Sequence, residues 1–329
     1  MMKLNETEII GTGSYLPRRI LTNAELENTV DTSDEWIRTR TGIKERRIAN
    51  KNEAASDLAY KASIKAMKAA KITPEQLDMI IVATITPDMI FPATACILQE
   101  KLGAREIAAF DLEAACSGFL YALSIGSQFI ATGMYNTILI VAAETLSRIT
   151  DWKDRNTCVI FADGAGAAIL APSHGSSRII SSYLGADGSG ADLVKVPAGG
   201  SRLPASIETV KNRQHYMKMK GNELFKKAVK MMAQTIEISL NKGNLTINDI
   251  NLFIPHQANI RIIQAVTKRV GLSMDKTWIN LDRYGNLSAA SIAVALDEVA
   301  RKREIKRGDK ILFTTFGGGI TCGSILLEW

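Results

Sequence analysis

Three residues of this 329-residue chain bring together types that can do chemistry: Cys116 in "DLEAACSGFL", His256 in "LFIPHQAN" and Asn286 in "YGNLS". A cysteine can serve as a covalent nucleophile. Imidazole and amide N–H groups can hold an oxyanion that develops on a substrate. The same three types also build a papain-like hydrolase, with histidine as the base and asparagine orienting it. Both chemistries are open at this point, and the placement of the two donors favours an enolate over activation of the thiol. The other histidines, His174 in "APSHGSS" and His215 in "KNRQHYM", lie in polar, loop-like settings and read as surface residues.

Each of the three sits where one pattern gives way to another. Cys116 falls between the strand-like "IAAFDL" and an apolar stretch of helical length, Ser117 to Ala131, closed by Gly133. The start of a helix offers unpaired N–H groups and partial positive charge. That setting predicts a thiol pKa below the free value of about 8.5. His256 ends the strand "LFIP" and precedes the amphipathic "QANIRIIQAVTKRVG".

An internal repeat links these edges. "ITPEQLDMIIVATI" and "LTINDINLFIPHQA" share a layout, as do "NTILIVAAE" and "DKILFTTFG"; 250 − 77 and 311 − 138 both give 173. At that offset Cys116 matches Ala289, Asn286 matches Glu113, and His256 matches the end of "MIIVA". Helical patterns precede both copies, so strands alternate with helices, as in sheets covered by helices. The reading is an α/β fold, internally duplicated, with halves at 1–174 and 175–329 and a crevice between them holding Cys116, His256 and Asn286. Sites of α/β folds form outside the carboxyl ends of strands.

Composition narrows the function classes. Hydrophobic content of 46% fits a globular core, and no apolar run reaches the roughly 18–20 residues of a membrane span. No secretory signal is read at the start. Four widely spaced cysteines, Cys96, Cys116, Cys158 and Cys322, suggest neither a disulfide framework nor a zinc site. A cytoplasmic chain is expected. The charge of +6 permits an acidic partner or a phosphorylated ligand. The basic stretches "WIRTRTGIKERR" and "RKREIKR" lack the signature of a nucleic-acid binder, and the second reads as a solvated helix end. "GTGS" and "DGAGAA" do not complete a dinucleotide fingerprint, and their glycines read as aids to close packing.

The motifs "DTSDEWIRTRTGI", "DLEAACSGF", "FADGAGAA", "PHQANIRI", "YGNLSAAS" and "FGGGITCGS" resemble, in order and over nearly the whole chain, those of β-ketoacyl-acyl carrier protein synthase III, of the thiolase superfamily. The resemblance implies a thiolase-like fold, layered α-β-α-β-α with two mixed sheets around buried helices. It implies a decarboxylating condensation that initiates fatty-acid synthesis. Cys116 takes a short acyl group from coenzyme A, His256 and Asn286 hold the enolate formed from malonyl-acyl carrier protein, and the N–H groups of Cys116 and Gly318 form the other oxyanion hole. No metal or other cofactor is called for, acyl-coenzyme A being a substrate. By the same resemblance Trp36, Arg40, Thr41, Arg155, Gly221 and Asn259 contact coenzyme A. Arg261, Lys268 and Arg269 receive the acidic carrier protein. Phe91 is lent to a partner's acyl pocket, which implies a homodimer; neither nucleic acid nor membrane insertion is expected.

Rival readings are weaker. A chalcone-synthase-like enzyme is disfavoured by the intact "DTSDEWIRTRTGI", a degradative thiolase by Phe316 in front of "GGG", and a chain-elongating synthase by Asn286 in the second histidine's place. The alternatives kept are a specialised starter enzyme of a polyketide or other secondary-metabolite pathway and, from another class, a non-catalytic carrier-protein binding module.

Overall fold

A strand without a polar face must be covered on both sides. Every residue of Met79–Ala83 and Ile138–Thr145 is buried. In the computed structural model, which describes residues 4–175 and 177–329, these strands pair in parallel within a five-stranded sheet. Its order is Thr7–Tyr15, Asp163–Pro172, Ile138–Thr145, Met79–Ala83, Ala108–Leu112. A second sheet runs Leu252–Pro255, Lys310–Gly317, Thr321–Glu328, Arg178–Ala186. Both mix parallel and antiparallel pairs.

Alternation along the strands sorts the layers. Ile138, Ile140 and Ala142 face a middle layer that contains the helices Gly118–Ala131 and Ala290–Lys302. Leu139, Val141 and Ala143 face outward, against the helix Ala55–Ala70. Helices Gly221–Lys242 and Ile260–Val270 cover the outer face of the second sheet. The order is α-β-α-β-α, as the resemblance implied.

The repeat extends to the backbone. Met79 pairs with Ile138, and Leu252 with Ile311, so the register itself is copied at 173. The turns Pro74–Gln76 and Ile247–Asp249 are both capped by a threonine, Thr73 and Thr246. Ala108–Leu112 has no matching strand among the described residues; in its place the second half has an isolated bridge between Phe253 and Thr277.

Two glycines set the spacing of layers. A Cβ on Gly13 would lie 2.2 Å from the carbonyl oxygen of Ala62, and one on Gly166 would lie 2.4 Å from the Cβ of Ala293. The glycines of "GTGS" and "DGAGAA" thus let helices close onto the sheet. Among the described residues no helix is long and apolar enough to cross a membrane.

Candidate active site

Glu113 and Asn286, equivalent in the repeat, do the same work on the backbone. The Glu113 carboxylate accepts from the N–H of Ala115 at 2.9 Å, and the Asn286 carbonyl oxygen accepts from the N–H of Ser288 at 2.8 Å. Both Ala115 and Ser288, again 173 apart, take left-handed backbone, with φ of 47° and 49°. Such a conformation costs a residue bearing a Cβ roughly 1–2 kcal/mol. It turns the chain sharply into each central helix. On the first loop the turn presents Cys116, in the short helical turn Ala115–Ser117 that runs into Gly118–Ala131. On the second it leaves the Asn286 amide nitrogen as the group free to donate, because its oxygen is occupied.

The second sheet clamps the cysteine turn. Thr315 donates to the Cys116 carbonyl at 3.0 Å, and Thr321 to that of Ala114 at 2.8 Å. Gly317 lies so close that a Cβ there would be 2.7 Å from the Cys116 nitrogen. The thiol borders a cavity, yet burial pushes it up to about 12; the Ser288 hydroxyl opposes that shift, and the charges of Glu144 and Glu113 add to it. The lowered thiol pKa expected from the helix start is therefore not met. Partial charges at a helix end move a group by fractions of a unit to about one, and desolvation can outweigh that.

His256 follows the strand Leu252–Pro255, its N–H donating to the Thr314 carbonyl at 2.9 Å. Burial alone pushes its imidazole down to about 3, so it is uncharged at any working pH. Neither ring nitrogen has a hydrogen-bond partner among the described residues, and the ring stands edge-on to Phe316 with centroids 5.6 Å apart. Gln257 braces the turn that follows, donating to the carbonyls of Pro255 and Trp278 and accepting from the N–H of Asn280.

Cys116, His256, Asn286, Gly317 and Gly318 all line one cavity of about 1480 Å³. Small-ligand sites commonly span about 300–1,000 Å³, so this one suits an extended molecule. Its mouth carries Trp36, with the Arg155 guanidinium 4.8 Å and the Arg40 guanidinium 5.8 Å from the ring centroid. Arg155 is tethered by the Asp31 carbonyl at 2.7 Å. Gly221 and Arg261 also line the cavity. Thr41 and Asn259 do too, but their polar atoms are engaged. The Thr41 hydroxyl bonds Ile37 and Ile43; the Asn259 amide accepts from Arg261 N–H and donates to the Arg40 carbonyl. Lys268 and Arg269 are exposed on the last turn of Ile260–Val270, outside the cavity lining. Phe91 is 83% exposed and does not line its own chain's cavity, whereas Ile90 does.

Two buried groups beside the nucleophile went unread in the sequence. Glu144 is next to last in the strand Ile138–Thr145, and burial pushes its carboxyl up to about 7 against hydrogen bonds from the Thr86 hydroxyl and the Ile85 N–H. Ser288 lies in the asparagine loop. The signal for Glu144 was present: a charged residue closing an apolar run, at the place where the second copy has Gly317. Among the described residues, no group of three or more His, Cys, Asp or Glu side chains could hold a metal ion.

Comparison with known proteins gives the family. Residues 110–188 match the family described as 3-oxoacyl-[acyl-carrier-protein (ACP)] synthase III, and residues 240–329 match its C-terminal part. A β-ketoacyl-[acyl-carrier-protein] synthase III of Caldanaerobacter subterraneus subsp. tengcongensis is 59% identical over 98% of this chain and 97% of its own. The crystal structure of 3-oxoacyl-[acyl-carrier-protein] synthase III from Aquifex aeolicus superposes with a TM-score of 0.91 at 46% identity, covering 98% of this chain and all of that one. The priming β-ketosynthase of the R1128 polyketide pathway also has a TM-score of 0.91, at 33% identity, covering 99% of this chain and 97% of that one.

Proposed function

The chain belongs to the β-ketoacyl-acyl carrier protein synthase III family, whose fold is thiolase-like, and from that premise we propose which of its residues perform the condensation that initiates fatty-acid synthesis. It is an acyltransferase of the condensing type. The Cys116 sulfur attacks the carbonyl of a short acyl-coenzyme A. The N–H groups of Cys116 and Gly318 hold the resulting oxyanion, coenzyme A leaves as its thiol, and the acyl group stays on the sulfur. Malonyl-acyl carrier protein follows it into the cavity. Loss of carbon dioxide sends the C–C bond pair into the thioester carbonyl, making an enolate whose oxygen takes hydrogen bonds from His256 and the Asn286 amide. The enolate carbon then attacks the Cys116 thioester, forming the new C–C bond and releasing the cysteine.

The observation that carries this division of labour is the buried, uncharged, unpartnered His256 imidazole in a cavity wall shared with Asn286 and Cys116. With so low a pKa, it is a poor proton acceptor but a good neutral donor in a dry site. Donation to an enolate therefore fits better than service as a hydrolase base.

The wider assignments follow. Trp36 and Arg155 stack on the base of coenzyme A, with Arg40 beside them. Thr41 and Asn259 shape the channel more than they bond to it, and Gly221 leaves room along it. Arg261, Lys268 and Arg269 form a cationic face for the acidic carrier protein. Phe91, exposed beside a cavity that it does not line, serves the acyl pocket of a second copy in a homodimer. The two halves, 1–174 and 175–329, supply the nucleophile and the two donors respectively. The chemistry calls on no cofactor, and cytoplasmic location follows from substrates made there.

Intact-mass analysis after mixing with acetyl-coenzyme A tests the reading. An acetyl increment mapped to Cys116, absent in Cys116→Ser and discharged by malonyl-carrier, is expected. Free acid released without malonyl-carrier would point to a hydrolase, and no increment with any short or branched primer would point to a silent binding module.

A further inference from the structure

An arginine is almost never fully buried unless it is paired. Arg46, in the strand Glu45–Ile48, is 0% exposed, and its three hydrogen bonds all go to uncharged acceptors. Nη1 donates to the Leu21 carbonyl at 3.1 Å, and Nη2 to the Asn23 side-chain oxygen at 2.8 Å and the Val159 carbonyl at 3.0 Å. Nε has no partner among the described residues. Burial pushes the guanidinium down to about 10, which leaves it charged at pH 7. A buried cation without a carboxylate costs stability, and this one stands at the root of the asparagine loop.

Two short paths lead from Arg46 to Asn286. Along the first, Val159 is followed by the segment that grips the asparagine backbone. The Ile160 carbonyl accepts from the Asn286 N–H at 3.0 Å, and the Ala162 N–H donates to the Asn286 carbonyl at 3.0 Å. The pairing of Phe161 with Asn286 is an isolated bridge rather than part of a sheet, so its place depends on what anchors residues 159–162. Along the second path, Gly285 has a φ of 72°, and a Cβ on it would lie 3.0 Å from the Cβ atoms of both Arg46 and Ala162. The arginine stem therefore packs on the backbone directly in front of Asn286. Because the Asn286 side-chain oxygen is fixed on the Ser288 N–H, a shift of this backbone carries the amide nitrogen with it. The other site residues have separate supports, Thr315 and Thr321 for the cysteine turn and the Thr314 carbonyl for His256.

We propose that Arg46 is a positioning residue for Asn286, holding in place, through the Val159 carbonyl and the Gly285 backbone, the amide that donates to the enolate. A planar guanidinium serves the Leu21, Asn23 and Val159 acceptors from one fixed fork, which a lysine ammonium does not reproduce. A further arm runs from Asn23, whose amide donates to Asp34 at 2.8 Å in the helix Asp34–Thr41 that carries Trp36 and Arg40. The inference rests on the assignment of Asn286 as the enolate donor.

The test is a double-mutant cycle on Arg46→Gln and Asn286→Ala, with the half-reactions measured apart. Acetyl loading of Cys116 is followed by mass at saturating acetyl-coenzyme A, and carbon dioxide release from malonyl-carrier by isotope. Saturation confines any change carried along the Asn23 arm to the KM for acetyl-coenzyme A. Arg46→Gln, which buries no cation, should slow carbon dioxide release by about tenfold, within the cost of misplacing a catalytic group, and load at close to the wild-type rate. Asn286→Ala should itself slow release by about 10²–10³, and adding Arg46→Gln to it should cost nothing further. Arg46→Lys should change release in the same direction, and it carries the test if the glutamine variant melts below the assay temperature. A purely structural role predicts equal slowing of both half-reactions, or the same loss with and without Asn286. Either result would overturn the proposal, as would wild-type release in a folded Arg46 variant. Wild-type release in Asn286→Ala would overturn the functional reading, and the proposal with it.

Discussion

Gly317→Ala is the smallest change that reaches the proposed oxyanion hole. The added Cβ would meet the Cys116 nitrogen at 2.7 Å, Thr321 Oγ1 at 2.7 Å and the Ala114 carbonyl oxygen at 3.1 Å. Two of these are backbone atoms of the cysteine turn, which Thr315 and Thr321 pin to the second sheet. The turn must therefore retreat by several tenths of an ångström, taking its N–H with it. An oxyanion donor works at about 2.7–3.1 Å from the developing charge, and losing one costs about 10²–10³ in turnover, or about 2.7–4 kcal/mol. Overpacking should cost a further 1–3 kcal/mol, roughly, in stability. The assay is single-turnover acyl loading by quenched-flow mass spectrometry, with a melting curve beside it. Gly126→Ala is the control: its Cβ meets Leu170 and Ile140 methyl groups at 2.9 and 3.0 Å, within the middle layer. Both variants should melt lower, and only Gly317→Ala should load slowly. Loading at the wild-type rate in folded Gly317→Ala would refute the role given to the Cys116 N–H.

Other outcomes follow from the same geometry. His256 has a folded pKa of about 3 against 6.5 for the free group, so the folded state disfavours its protonation. Stability is unaffected above about 6.5 and falls as pH drops towards 3, by up to about 1.4 kcal/mol per unit; His256→Asn should flatten that part of a denaturation-against-pH series. Glu144 has the opposite sign, with a folded pKa of about 7 above 4.5. Its contribution is full below 4.5 and is lost as pH rises through 7, so Glu144→Gln should raise the melting temperature at pH 8 and leave it nearly unchanged at pH 4. Trp36→Ala removes the ring that Arg155 and Arg40 approach and should raise the KM for acyl-coenzyme A several-fold to about 30-fold, the range of a cation–π contact, without altering the malonyl-carrier step. Charge reversal at Arg261 and Lys268 should raise the KM for malonyl-carrier, with the gap from wild type closing as salt is added.

The layered fold was legible because its signals are periodic. Fully apolar strands, helical stretches and a single offset of 173 determine two covered sheets, and Met79–Ile138 and Leu252–Ile311 pair at that offset. The gathering of Cys116, His256 and Asn286 followed from the offset and the strand ends. What was misread depends on solvent, which a sequence does not display. Burial, through packing against Gly317 and the second sheet, moved the Cys116 thiol opposite to the helix-start expectation. Thr41 and Asn259 do line the cavity, and their helix and cap bonds are a feature the sequence did not display. Glu144 and Ser288 were passed over because each looks ordinary in its own segment. Only the fold brings Thr84, Ile85 and Ser288 into one cavity lining with Cys116 and ties Glu144 to residues 84–86.

The most direct test of the division of labour separates the two half-reactions in His256→Ala. Acetyl transfer from acetyl-coenzyme A to Cys116 would be followed by mass, and carbon dioxide release from malonyl-carrier by isotope. Loading at close to the wild-type rate with decarboxylation down by about 10²–10³, the effect of a lost donor, is the predicted result. Loss of acyl loading with decarboxylation intact would contradict the account, since it would make His256 the base of the cysteine rather than the donor to the enolate.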